Sequence, residues 1–87
     1  QNEREISLNL YATLLKMKDS YLKEGIPILK KSYIDILNSL ENVHVDYLDI
    51  VDSQTLKPLK EWNSIGNNLA ILAVYVGNVR LIDNLLF

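Results

Sequence analysis

The sequence predicts an α+β domain in which two N-terminal helices pack on a three-stranded antiparallel sheet, in the order α-α-β-loop-β-β. Three observations predict it. Apolar residues recur every three or four positions up to about Leu40, as on one face of a helix. The period then switches to alternation at Val43. Finally, a continuous apolar run from Leu69 to Val76 is followed by Gly77-Asn78 and a further strand-length segment.

The first helix is expected from about Asn2 to Glu24. Ile6, Leu10, Leu14, Met17 and Tyr21 form its stripe, widened by Leu8, Tyr11, Leu15 and Leu22. Gly25 tolerates φ > 0 and is the expected stop. Pro27 opens the second helix, where its missing N–H costs nothing. Leu29, Tyr33, Ile36, Leu37 and Leu40 form the second stripe, with Asn42 as terminator. Two helices with so short a joint should pack side by side or against a common sheet.

Val43 to Tyr47 alternates as a strand does, and the alternation slips at Leu48. Either a bulge lies there or both faces are covered. From Asp52 to Asn68 the chain is polar and irregular, punctuated by Pro58 and Gly66. Leu56, Leu59, Trp62 and Ile65 suggest a wrapped loop with one helical turn. Leu69 to Val76 is strand-length and wholly apolar, which suits the central strand. Gly77-Asn78 suits a type II′ turn, and Val79 to Leu86 returns as the third strand.

A two-residue turn fixes the register. It pairs Val76 with Val79, Val74 with Leu81, Leu72 with Asp83 and Ala70 with Leu85 on one face. That face is mostly apolar and is assigned to the core beneath the helices. Tyr75 with Arg80, Ala73 with Ile82 and Ile71 with Asn84 form the other, less buried face. Asp83 is then expected near the rim or hydrogen-bonded, because an unpaired buried charge is too costly.

The chain has 87 residues, 48% hydrophobic and 23% charged, which is one domain (residues 1–87) of ordinary globular composition. Net charge is −2, from nine Lys and Arg against eleven Asp and Glu. The charges are interspersed, so the basic face that nucleic-acid binding needs is missing. There is no cysteine, which excludes disulfides, thiolate catalysis and Cys-ligated zinc, and which fits a reducing cytosol. No apolar stretch approaches the ~20 residues of a membrane span. The polar start, Gln1 to Arg4, is not a signal peptide, and the lack of an initiator Met suggests a fragment or a processed chain.

Possible sites read more simply as structure. His44 is the only histidine, with no second ligand or nucleophile near it in sequence, so it is expected as a strand residue. Lys16-Met17-Lys18-Asp19-Ser20 is similar to a lysine-bearing ATP loop, but its letters continue the period of the first helix. Asp46, Asp49 and Asp52 cluster without the glycine and bidentate Glu of a calcium loop. They are expected to be solvated or turn-capping, with Asp46 and Asp52 on one face and Asp49 on the other. Trp62 is expected to anchor its loop with the indole N–H at the rim. Lone glycines make no phosphate cradle. The residues thus indicate no catalytic, cofactor-binding or metal site.

Three stretches together resemble the C-terminal domain of the pantothenate synthetase (pantoate–β-alanine ligase) family. Val45 to Asp52, followed by Thr55-Leu56 and Pro58-Leu59, is similar to its Val-Asp-Tyr-x-x-x-Val-Asp…Thr-Leu-x-Pro run. Leu69 to Val76 is similar to its penultimate strand. Gly77-Asn78-Val79-Arg80-Leu81-Ile82-Asp83-Asn84 is similar to its Gly-x-x-Arg-Leu-Ile-Asp-Asn ending. The resemblance implies a cytoplasmic ligase that uses ATP and Mg²⁺ to form pantoyl adenylate from pantoate, which β-alanine then attacks to give pantothenate. It implies a partner Rossmann-like N-terminal domain holding a His-x-Gly-His turn, a Ser-Arg-Asn segment just upstream of Gln1, and a homodimeric full enzyme. None of the family's catalytic residues falls on a position here, so the implied role is a lid that excludes water from the adenylate. A small non-catalytic protein-interaction domain is the alternative; upstream His-x-Gly-His and Ser-Arg-Asn motifs would distinguish the two.

Overall fold

The computed structural model describes residues 3–87, with side chains of the first helix from Asn9 onward. Helix α1 spans Glu3–Ser20 and α2 spans Ile26–Asn38, joined through a 3₁₀ turn at Tyr21–Lys23. Strands β1 (Val43–Asp52), β2 (Asn68–Val76) and β3 (Val79–Leu86) form one antiparallel sheet with β2 in the centre. This is the expected α+β architecture. Both helices lie on one face of the sheet, α1 mainly over β3 and α2 over β1.

The first helix ends earlier than its sequence period implied. Leu10, Leu14, Met17 and Tyr21 are buried as expected, while Asn2, Ile6 and Leu8 lie outside the described residues or side chains. Tyr11, Leu15 and Leu22 are exposed, so the stripe is one residue wide per turn. Gly25 is not a left-handed stop. Its φ is −71° and it caps the start of α2, with Glu24 extended before it. The physical reason is that Gly25 is extended at the N-cap, where its carbonyl accepts the Leu29 N–H at 3.0 Å and so opens α2, with Pro27 in the first turn where no N–H is needed.

In α2, Ile26, Leu29 and Leu37 are buried and Tyr33 packs at their edge, whereas Ile36 and Leu40 are exposed. Asn42 does not end the helix; Asn38 does. Asn42 sits four residues on with φ of 66°, a left-handed turn that launches β1, and its carbonyl accepts the Gly77 N–H. Asn38 has a second use: its Oδ1 accepts the Val45 N–H at 2.8 Å.

The slip in β1 is a bulge, centred on Asp46 between Val45 and Tyr47. Beyond it Leu48 and Ile50 return to the core face and are buried. The bulge corrects the aspartate reading. Asp46 and Asp49 belong to the face away from the helices, and Asp52 to the helix face, because one inserted residue inverts the parity.

The loop between β1 and β2 is wrapped but not helical. Lys57 to Leu59 lies along β1, with Asp52 N–H donating to Lys57 O and Leu59 N–H to Ile50 O, each at 2.9 Å. Leu59 and Trp62 pack on the core, but Leu56 and Ile65 are 59% and 76% exposed and anchor nothing. Trp62 does what a rim tryptophan should. Its Nε1–H donates to Glu24 O at 2.8 Å while its ring meets Tyr21 edge-on and Phe87 nearly stacked.

The hairpin turn is as expected. Gly77 has φ of 59° and Asn78 is not in the left-handed region, the pattern of a type II′ turn. A Cβ at Gly77 would also lie 3.3 Å from Asn42 Nδ2. Gly77→Val is therefore expected to cost about 1–3 kcal/mol, read as a lower melting temperature. An unchanged melting temperature would contradict the turn.

Candidate docking face of the sheet

The sheet faces divide as the register dictates. Val45, Leu48, Ile50, Ala70, Leu72 and Val74 are buried under the helices, with Leu81 and Leu85 half-buried beside them. Asp83 is half-buried on that side, and its Oδ1 accepts the Asn84 N–H at 2.8 Å, so it is hydrogen-bonded as expected.

No helix covers the opposite face among the described residues. Tyr75, Ile82 and Leu86 stand exposed there, around Ala73, which is fully buried by its neighbours. Arg80 closes one side. Its Nη2 and Nε both reach Asp46 Oδ2, at 2.8 and 3.0 Å, and its guanidinium lies 5.7 Å from the centre of the Tyr47 ring. The bulge makes this possible by turning Asp46 outward across two strands. Asp46 holds the Arg80 guanidinium above its usual pKa, chiefly through that hydrogen bond. The pair is solvent-exposed and adds little stability, but it fixes a planar cation over the Tyr47 ring. Asp49 is held from the other side, by Lys30 of α2 at 3.1 Å. His44 is exposed opposite Tyr75.

Concavities also lie elsewhere on the surface of the described residues. An open groove of about 870 Å³ runs between the middle of α1 and the α2–β1 corner, lined by Leu10, Thr13, Lys16, Leu40, Glu41 and Val76 among others. Lys16 reaches it from a regular helix whose Met17 is in the core, so this segment is helix and not a loop. A smaller, polar hollow of about 300 Å³ surrounds Asp52, Asn63 and Asn67. Its carboxylate is already engaged. Asp52 Oδ1 accepts the Thr55 and Gln54 N–H groups at 2.9 Å each, and Oδ2 accepts from Asn63 Nδ2. Among the described residues no group of three His, Cys, Asp or Glu side chains is placed to hold a metal ion.

These bonds hold the Asp52 carboxyl below its usual pKa, with the Thr55 N–H the largest cause and the Gln54 N–H next. A depressed folded pKa stabilises the native state above the unfolded value of about 4, and that stability is lost as pH falls through the folded value. Asp52→Asn keeps an acceptor for both N–H groups but cannot titrate. It is expected to lose less stability than the parent between about pH 5 and pH 3, measured as denaturation midpoints. Equal losses in the two proteins would contradict this.

Sequence reasoning missed the most connected polar side chain, Asn68. It is fully buried at the start of β2, and its Oδ1 accepts the Asn63 N–H at 2.7 Å. Its Nδ2 faces the carbonyls of Asn63, Ser64 and Phe87. The available signal is an asparagine directly before the apolar run, a position that by sequence alone only closes the polar loop.

The sequence model of the pantoate-beta-alanine ligase family matches residues 1–86. The chain belongs to that family. It is 37% identical over 89 residues to the pantothenate synthetase of Fervidobacterium nodosum, covering 99% of this chain and 30% of that protein. It is 39% identical over 88 residues to the pantothenate synthetase of Leptospira interrogans, covering 98% of this chain and again 30% of the relative. The crystal structure of pantothenate synthetase from Thermus thermophilus superposes with a TM-score of 0.71 at 31% identity, over 87% of this chain and 27% of that one. The chain thus spans about 30% of the length of the pantoate–β-alanine ligases it matches. No helix among the described residues is long and apolar enough to cross a membrane.

Proposed function

We propose that this chain is the C-terminal lid domain of a pantoate–β-alanine ligase, and that the reaction site lies in a Rossmann-like N-terminal domain of the same protein. The observation that carries the reading is a family match along almost the whole chain that accounts for only 30% of each relative. The full ligase condenses pantoate with β-alanine through a pantoyl adenylate, using ATP and Mg²⁺, in the cytoplasm and as a homodimer.

We place ATP and Mg²⁺ in the N-terminal domain. What supports this placement is that among the described residues no group of three His, Cys, Asp or Glu side chains gathers, and that the start of α2 gives up an N–H to Pro27. The part proposed for this domain in the chemistry is mechanical. A lid that closes over an acyl adenylate excludes the water that would hydrolyse it. The uncovered sheet face supports that role. Tyr75, Ile82 and Leu86 offer apolar bodies, and the Arg80–Asp46 pair offers polar tips, as suits a surface that is alternately wet and covered.

Two measurements test the reading. Calorimetry on the 87-residue chain is expected to show no ATP binding, and micromolar binding would overturn the assignment of the site to another domain. Replacing the matching region of the Thermus thermophilus pantothenate synthetase with this sequence is expected to preserve pantothenate formation, whereas deleting that region is expected to abolish it. A folded but inactive chimera would favour a plain interaction domain.

A further inference from the structure

The two edges of the sheet are protected unequally. On β1 the outward backbone groups are occupied one after another. Asn38 Oδ1 takes the Val45 N–H, the bulge at Asp46 interrupts the ladder, and Lys57 to Leu59 pairs with Ile50 and Asp52. On β3 there is no such cover among the described residues. The two-residue turn makes Val76–Val79 a hydrogen-bonded pair, and hydrogen-bonded and non-bonded pairs alternate from there. Arg80, Ile82, Asn84 and Leu86 therefore present N–H and C=O groups outward. Of these amides, the Asn84 N–H has a partner: the Asp83 carboxylate, at 2.8 Å.

We infer that the β3 edge is a latent strand-pairing site for a second copy of this chain, and that Asp83 keeps it shut. The edge is self-complementary. An antiparallel two-fold centred on Asp83 pairs Arg80 with the copy's Leu86 and Ile82 with its Asn84, which uses every outward amide of the strand. On the helix side the same register sets Leu81 against Leu85. It also sets Asp83 directly against its own copy, in a non-bonded pair where side chains come closest. Asp83 thus opposes pairing twice. Its oxygen competes for the Asn84 N–H that the register needs, and its charge meets a like charge across the two-fold. This inference concerns the chain's association with itself and does not rest on the ligase reading.

The test is sedimentation of the 87-residue chain and of Asp83→Val at sub-millimolar concentration, with circular dichroism to show that both are folded. The parent is expected to be monomeric, and Asp83→Val to associate at least about tenfold more tightly, since removing a facing like-charge pair and freeing an amide act together. Asp83→Asn keeps an acceptor for the amide and removes only the charge, so it should fall between them. Proline at 84 deletes an outward N–H that the monomer does not need for its sheet, so Asp83→Val with Asn84→Pro should return to monomer. In the associated form, hydrogen exchange should slow at Arg80, Ile82, Asn84 and Leu86. A folded Asp83→Val that stays monomeric, an association that survives Asn84→Pro, or a parent already dimeric through β3 would each overturn the inference. If Asp83→Val does not fold, Asp83→Thr carries the same comparison.

Discussion

Asn68→Ala is expected to destabilise the domain by about 2–4 kcal/mol, the cost of leaving several buried polar groups without partners. For a domain of this size each kcal/mol lowers the melting temperature by about 4–8 °C, so a fall of roughly 8–32 °C is expected. The side chain is fully buried. Its removal strands the Asn63 N–H, which now donates to Oδ1 at 2.7 Å, and the carbonyls of Asn63, Ser64 and Phe87 that face Nδ2. Water cannot replace a partner where there is no room for it, and these groups were satisfied by water in the unfolded chain. Asn68 also exchanges main-chain bonds with Phe87, so the end of the loop, the start of β2 and the residue after β3 meet at this one position. Asn67→Ala, one residue earlier and exposed, is the control and is expected to cost less than about 0.5 kcal/mol. Thermal melts of the two variants check the account. Equal melting temperatures would mean that the buried network contributes nothing.

The second large effect is expected at Leu14. Leu14→Ala should cost about 2–5 kcal/mol, because the lost transfer free energy adds to a cavity that the fold cannot fully collapse. Leu14 is completely buried, in line with Leu10, Met17 and Tyr21 and facing the sheet. Leu15→Ala, one position on, should cost less than about 1 kcal/mol, since that side chain is exposed. The contrast reads the rotational phase of α1 directly. Similar costs at both positions in denaturant titrations would show that the helix is rotated from the orientation described.

Periodicity made the elements legible because each short-range rule had one dominant partner. The stripe of α1 could face only one sheet, and the Gly77-Asn78 turn admitted only one register, which set both faces of the hairpin. The same rules failed where two local signals competed. Gly25 was legible as a glycine at a helix boundary but not as the cap of the next helix, since glycine serves at either end and the choice depends on which helix takes its carbonyl as an acceptor, here the Leu29 N–H of α2. Asp46, Asp49 and Asp52 were legible as solvated or turn-forming carboxylates. Their faces were not, because one bulged residue inverts every side chain on one side of it. Leu56 and Ile65 were apolar residues in a loop, and apolarity alone does not say which loop residues reach a core.

The sequence by itself determined the fold class, the element order, the hairpin register and the family, because each is written in spacing or in a contiguous motif. Tertiary structure alone decided which partners the isolated polar residues take. Asn68 reaches Asn63 and Phe87, Asn38 reaches Val45, Asp46 reaches Arg80 and Trp62 reaches Glu24, across separations of 5 to 38 residues. A polar side chain carries the same donors and acceptors wherever it lies. Its partner is chosen by which backbone groups the packed core leaves unpaired, and that is not known until the chain has folded.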